Sequence, residues 1–147
     1  LDRGGQGGAL GGAEGLHRGA YVLWESGPSP KLLLIATGSE VPLALDAGRK
    51  LAEGGVAVRV VSMPCWELFE AQTQAYRDSV LPPAITARLA VEAASPLGWS
   101  RWVGSAGDTV SVTTFGHSAP GNVLMEKYGF TVDNVAARAK HVLERAR

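Results

Sequence analysis

The run Lys31-Leu-Leu-Leu-Ile-Ala-Thr-Gly-Ser-Glu-Val41 constrains the fold more tightly than any other part of this chain. Its aliphatic residues are continuous, with none of the polar alternation of a strand that has one face in water. A strand of that kind is buried on both sides, which requires a parallel sheet with helices on both faces. The Thr37-Gly38 turn leads at once into residues with helical periodicity. Strand, turn and helix together are the opening half of a βαβ unit.

The rest of the chain repeats that alternation. Residues 20–24 are β-prone, and a Gly-Pro-Ser-Pro turn at 27–30 separates them from 32–36 without room for a crossover helix. Two strands so joined run antiparallel if they pair. A helix is expected over 40–53, with Ser39 as its N-cap, Pro42 in its first turn and Gly54-Gly55 ending it. Val41, Ala44, Leu45, Gly48, Leu51 and Ala52 share one face; Asp46, Arg49, Lys50 and Glu53 share the other. Strands follow at 56–63, 88–93 and 109–113, with a short helix at 66–72, a turn at 76–81 and a short aromatic helix at 97–103. Two helices close the chain. The first spans 119–128; the second starts at its cap Thr131 and carries the stripe Val132, Val135, Ala136, Ala139, Val142, Leu143, Ala146. The fold class is α/β: a three-layer αβα arrangement around about five strands, mostly parallel, with one antiparallel.

Composition narrows the function classes. Fourteen basic residues balance fourteen acidic ones, so no net field draws the chain to nucleic acid or an anionic membrane. No apolar run approaches the roughly 20 residues that span a bilayer. Cys65 stands alone, which fits a reducing cytoplasm, and its apolar neighbours Trp66, Leu68 and Phe69 suggest a structural thiol. Residues 1–18 are glycine-rich and read as a flexible linker or tail, with the domain proper at 19–147. The chain opens on Leu1 rather than Met, so a piece of a longer polypeptide is expected.

A few residues could carry chemistry. Gly38, Ser39 and Glu40 lie where a strand ends and a helix begins, the usual ligand edge of an α/β sheet. An anion seated there would also meet Ser62 and Ser118 at neighbouring strand ends. Glu40, however, brings its own negative charge to that helix start. Glu92 ends an otherwise apolar strand and must be paired, either with a nearby loop or across a subunit interface. Trp99 and Trp102 fit a core or an interface. His17, His117 and His141 lack metal-ligand spacing; only His117, beside a strand's carboxyl end, is placed to matter, and it joins Glu92, Trp99 and Trp102 as an interface candidate.

An ordered series of segments resembles the C-terminal domain of transketolase. It comprises Gly19-Ala-Tyr-Val-Leu23, Ala36-Thr-Gly-Ser-Glu40, Val60-Val-Ser-Met-Pro64, Trp66-Glu-Leu-Phe-Glu-Ala-Gln72, Ser79-Val-Leu-Pro82, Ala90-Val-Glu-Ala93, Phe115-Gly116, Ser118-Ala-Pro120 and Gly129-Phe-Thr-Val-Asp-Asn-Val135. The resemblance implies a homodimeric cytoplasmic parent enzyme, a transferase of the pentose phosphate pathway. Such an enzyme uses thiamine diphosphate and Mg2+ or Ca2+ to move a two-carbon ketol unit between sugar phosphates. It also implies that the reacting groups sit on earlier domains, so catalytic, cofactor-binding and metal residues in this chain are expected to be none. The domain itself is then expected to serve packing, dimer assembly or regulation. Deoxyxylulose-phosphate synthase and the pyruvate dehydrogenase β subunit have equivalent domains and are the alternative parents; a metabolite-binding regulatory module is the alternative role. In the family a Gly-Asp-Gly motif with a downstream Asn holds the diphosphate through the metal. Gly107-Asp108 with Asn134 imitates that motif, but Thr109 stands for the second Gly and Asp133 for an Asn, so the match is rejected.

Overall fold

The computed structural model describes residues 13–92, 98–111 and 130–146. Five strands form one sheet: β1 (Tyr21–Glu25), β2 (Leu32–Ala36), β3 (Val58–Ser62), β4 (Arg88–Glu92) and β5 (Asp108–Ser111). Their spatial order is β1-β3-β2-β4-β5, parallel throughout except for β1, which runs antiparallel to β3. All five residues of β2 are buried, as a central strand covered on both faces requires.

The two faces have separate cores. One packs Leu32, Leu34, Val58, Val60, Leu89 and Val91 under helices α1 (Val41–Glu53) and α5 (Val132–Arg145). The other packs Leu33, Ile35, Val61 and Ala90 under three short helices, α2 (Trp66–Glu70), α3 (Gln74–Val80) and α4 (Ser100–Val103). Alternate residues of each strand therefore feed opposite layers, as a period of two demands. At Gly48 helix α1 lies so close to the sheet that a Cβ would sit 2.8 Å from Val60 Cγ2.

The three-layer architecture agrees with the expectation, and several local details differ. Strands β1 and β2 are antiparallel but are not neighbours, because β3 lies between them. The loop joining them straddles the start of β3: Ser26 N–H donates to Val58 O, Val58 N–H to Ser26 Oγ, and Lys31 N–H to Ala57 O, at 2.8–3.0 Å. Residues 74–80 form a helix rather than a turn. Thr73 caps it, its Oγ1 accepting from Tyr76 N–H at 3.1 Å, and Arg77 donates to the Glu70 and Gln72 carbonyls. Ser39 does not cap α1. A 3-10 turn over Gly38–Glu40 comes first and makes Glu40 the residue before the α-helix. A further 3-10 turn, Ala13–Arg18, lies within the stretch that glycine content assigns to a linker. Arg18 stacks 4.7 Å from the centre of the Tyr76 ring there. The expected helix at 119–128 falls outside the described residues.

Two helix ends agree with their sequence signals. Thr131 Oγ1 accepts from Asn134 N–H at 3.1 Å. At the end of α1, Val56 N–H reaches back to Leu51 O and Gly55 N–H to Ala52 O, with Gly55 at φ +92°. That is the bonding of a Schellman cap, which needs a residue able to take positive φ.

Helices α1 and α5 are further tied by an ion pair between Lys50 Nζ and Asp133 Oδ1. The hydrogen bond from Lys50, aided by its charge, holds the Asp133 carboxyl below the ordinary carboxylate value. A depressed carboxylate stabilises the fold above its unfolded-state pKa, and that contribution disappears as pH falls through the folded value. Asp133 is fully solvated, so the effect on stability is small and weakened by salt. A carbon-detected NMR titration is expected to show Asp133 titrating low, and Lys50→Met should return it upward. An identical curve in the variant would rule the pair out.

Candidate functional site

In an open α/β sheet the ligand crevice lies beyond the carboxyl ends of the strands, where the chain turns from one side of the first parallel strand to the other. Here that point lies between β2 and β4, since β2 leads to β3 on one side while β4 is added on the other. Ala36, at the end of β2, is level with Ser62 of β3 and Val91 of β4. The sheet therefore brings the Gly38–Glu40 turn, Ser62 and Glu92 to one edge, though Glu40 and Glu92 lie 52 positions apart in sequence. Ser118 and His117 lie outside the described residues.

Two polar groups at this edge, Ser39 and Glu40, are turned on one another. Gly38 takes φ +58°, which lets the chain leave β2 sharply, and Glu40 N–H donates to Thr37 O at 3.2 Å. Ser39 Oγ donates to Glu40 Oε2 at 2.7 Å. Glu40 is buried, 5% exposed, and Ser62 at the end of β3 is buried too, 6% exposed. Glu92 is half-buried, and both Glu40 and Glu92 are engaged by further contacts within the chain. A buried carboxylate at the start of α1 already occupies the field that would attract an external anion.

The other sequence candidates are distributed through the fold. Trp99 and Trp102 are core residues, 2% and 8% exposed. Trp66 meets their rings edge-on at 4.9 and 6.3 Å. Cys65 is half-buried just before α2, its Sγ 3.6 Å from Glu67 Oε1. Phe69 beside it is fully buried, while Leu68 is 44% exposed, so the expected apolar surroundings of the thiol are closed on one side only. His17 and His141 are exposed. Among the described residues no three His, Cys, Asp or Glu side chains group as metal ligands, and no helix is long and apolar enough to cross a membrane.

Two polar features escaped the sequence reading. Arg88, at the start of β4, donates Nε–H to Ile85 O, Nη1 to Trp102 O, and Nη2 to Leu81 O and Pro82 O, at 2.6–3.3 Å. Arg59 of β3 binds Glu25 of β1 at 2.8 Å and also donates to the Ser79 and Val80 carbonyls. Both arginines interrupt apolar strands, which was the available signal: a charge in a covered strand must be satisfied.

Sheet order, switch point and doubly covered faces define the chain as a three-layer α/β domain. It belongs to the transketolase family, as a transketolase C-terminal domain: the family model described as the transketolase-like TK C-terminal domain matches residues 19–131. The chain is 53% identical over 131 residues to the transketolase of Geobacillus stearothermophilus, covering 88% of this chain and 20% of that protein. It is 53% identical over 126 residues to that of a Nostoc strain, covering 86% of this chain and 19% of the relative. The transketolase structure from Leishmania mexicana superimposes with a TM-score of 0.83 at 39% identity, over 94% of this chain and 20% of that one. A split-gene transketolase solved as an inactive beta4 tetramer matches with a TM-score of 0.64 at 27% identity, over 87% of this chain and 43% of that one. The chain thus spans about a fifth of the length of the curated relatives it matches.

The one partial cofactor motif can be tested against this geometry. Asp108 stands at the amino end of β5, level with Leu89, opposite the ligand edge. Its Oδ2 accepts from Arg138 Nη2 at 2.7 Å and Nε at 3.1 Å, and its Oδ1 from Thr109 N–H at 2.8 Å. Asn134 sits in the first turn of α5, its N–H spent on the Thr131 cap. A carboxylate already neutralised by a guanidinium is a poor ligand for a divalent cation, so these residues do not fit a metal-bound diphosphate.

Proposed function

We propose that this chain serves a transketolase as its non-catalytic assembly domain. The parent is a cytoplasmic homodimer that uses thiamine diphosphate and a divalent metal to move a two-carbon ketol unit between sugar phosphates. This domain supplies packing and dimer assembly, and no reacting group. The observation that carries the reading is the closed ligand edge: Ser39 donates to the buried Glu40 carboxylate at the switch point, where a substrate or coenzyme anion would otherwise be held. The split-gene relative, inactive as a beta4 tetramer, supports the same division of labour. Identity of about half the residues to curated transketolases supports that parent over deoxyxylulose-phosphate synthase or the pyruvate dehydrogenase β subunit. A regulatory phosphate at Gly38–Glu40 would have to displace the Ser39 hydroxyl and face a like charge, so the assembly reading is the one adopted.

The test compares the 147-residue chain with the whole parent protein, using circular dichroism to establish that the chain is folded. Calorimetry is expected to show no heat on adding thiamine diphosphate and magnesium to the chain, and a coupled assay no ketol transfer. The parent protein should bind and turn over. Turnover by the folded chain alone, given coenzyme and magnesium, would overturn the proposal.

A further inference from the structure

We infer that the concavity at the amino ends of β2 and β4 binds a small organic monoanion with an apolar body, of the class of aryl or short alkyl carboxylates. It lies at the end of the sheet opposite the Gly38–Glu40 turn and does not rest on the assembly reading. Its volume is about 590 Å3, within the roughly 300–1,000 Å3 of small-molecule pockets. Pro30 and Lys31 line one side, Ile85 and Thr86 a second, and Leu143 and Ala146, at the end of α5, a third.

The walls are held before any ligand arrives. Arg88 donates to the carbonyls of Leu81, Pro82 and Ile85, and Leu33 N–H donates to Ala87 O at 2.9 Å, so the loop before β4 is tied at both ends. Lys31 N–H donates to Ala57 O at 2.8 Å. The end of α5 is fixed by Arg145, which donates to the Ala106 and Gly107 carbonyls at 2.9 and 3.0 Å. A site built this way spends little of its binding energy on ordering loops.

The ligand class follows from the charge left over. Arg88 and Arg145 are spent on carbonyls, whereas among the described residues no hydrogen bond or ion pair engages the exposed Lys31 ammonium. Thr86 adds an exposed hydroxyl to the same concavity, and Pro30, Ile85, Leu143 and Ala146 are half-buried apolar walls. One ammonium among apolar walls suits one negative charge on an apolar body. A second negative charge is disfavoured, because the carboxyl end of α5 carries partial negative charge and Glu144 follows Leu143. Sugar phosphates, dianionic and without an apolar body, match the site poorly.

Thiol protection in the whole parent protein tests this. Thr86→Cys puts a reporter on the wall, and peptide mass mapping reads maleimide labelling of residue 86 by itself. Positions 31 and 86 are both exposed, so these substitutions leave the core intact. 1-Naphthoate is expected to slow the labelling saturably. Lys31→Met should raise the naphthoate needed for half protection about tenfold, the scale of one charge-assisted hydrogen bond, and Lys31→Arg should restore it. 1-Naphthalenemethanol, which keeps the rings without the charge, and 1-naphthyl phosphate, which adds a second charge, should both protect more weakly than naphthoate. No protection by naphthoate, equal protection in Lys31→Met, or equal or tighter binding of the alcohol or the phosphate would overturn the inference. Labelling of residue 86 only in denaturant would do so too, by showing the concavity filled within the parent.

Discussion

Arg88→Met is expected to lower the stability of this domain by about 2 kcal/mol, the scale for removing the charged donor of a half-buried hydrogen-bond set. Burial pushes the Arg88 guanidinium down from its ordinary pKa. That cost is offset by four carbonyls, from Leu81, Pro82, Ile85 and Trp102. Those acceptors come from the loop after α3 and from the last turn of α4, so one side chain fastens two otherwise separate segments to the start of β4. Leu81 and Trp102 lie at helix carboxyl ends, where partial negative charge favours a cation. Methionine keeps the aliphatic stem and leaves the carbonyls without that donor. Arg88→Lys should recover only part of the loss, because an ammonium cannot span a planar fork of acceptors. Urea denaturation of both variants measures this. A Lys variant as stable as the native chain would show that charge alone, rather than the fork, holds the segments.

The same residue shows how far the sequence could be read. Leu32–Ala36 is buried at every position, so the inference of a doubly covered parallel strand needed only the absence of alternation. Helix α5 was equally legible, because its stripe and its Thr131 cap are local. The neighbour of β1 was not legible. Direct connection favours pairing with β2, and only the hydrogen bonds of the 26–31 loop to Ala57 and Val58 open a gap for β3. Helix α3 was missed because its seven residues show little periodicity, although Thr73 three residues before Tyr76 offered a capping signal. The sequence placed Gly38–Glu40 between the end of one strand and the start of one helix, one element at a time. What sequence could not supply was the level alignment of Ala36 with Ser62 and Val91, or the turning of Ser39 onto Glu40 rather than onto the helix. Register between distant strands is a tertiary property, and hydroxyl partners follow from it.

Gly19→Ala is expected to cost about 3 kcal/mol, from roughly 1–2 kcal/mol for a side chain in left-handed backbone and a comparable overpacking cost. Gly19 sits at φ +85°, and a Cβ there would lie 2.3 Å from both Cys65 O and Phe69 N and 2.9 Å from Leu68 C. Those atoms are backbone, so they cannot swing aside as a flexible side chain would; α2 or the incoming chain must move. Movement also strains the bond from Cys65 N–H to Gly19 O and the bond from Tyr76 Oη to Ala20 O, which hold the start of β1 against α2 and α3. Gly55→Ala separates the two causes. Gly55 has a similar φ of +92° but open space around it, so alanine there should cost only the backbone part, about 1 kcal/mol. Denaturation midpoints of the two variants give the comparison directly. Equal losses would mean that the close approach of the chain to α2 contributes nothing. A larger loss at Gly19 would establish that the crossing of the chain over α2 is fixed by contact, because left-handed backbone is common to both glycines and contact is not.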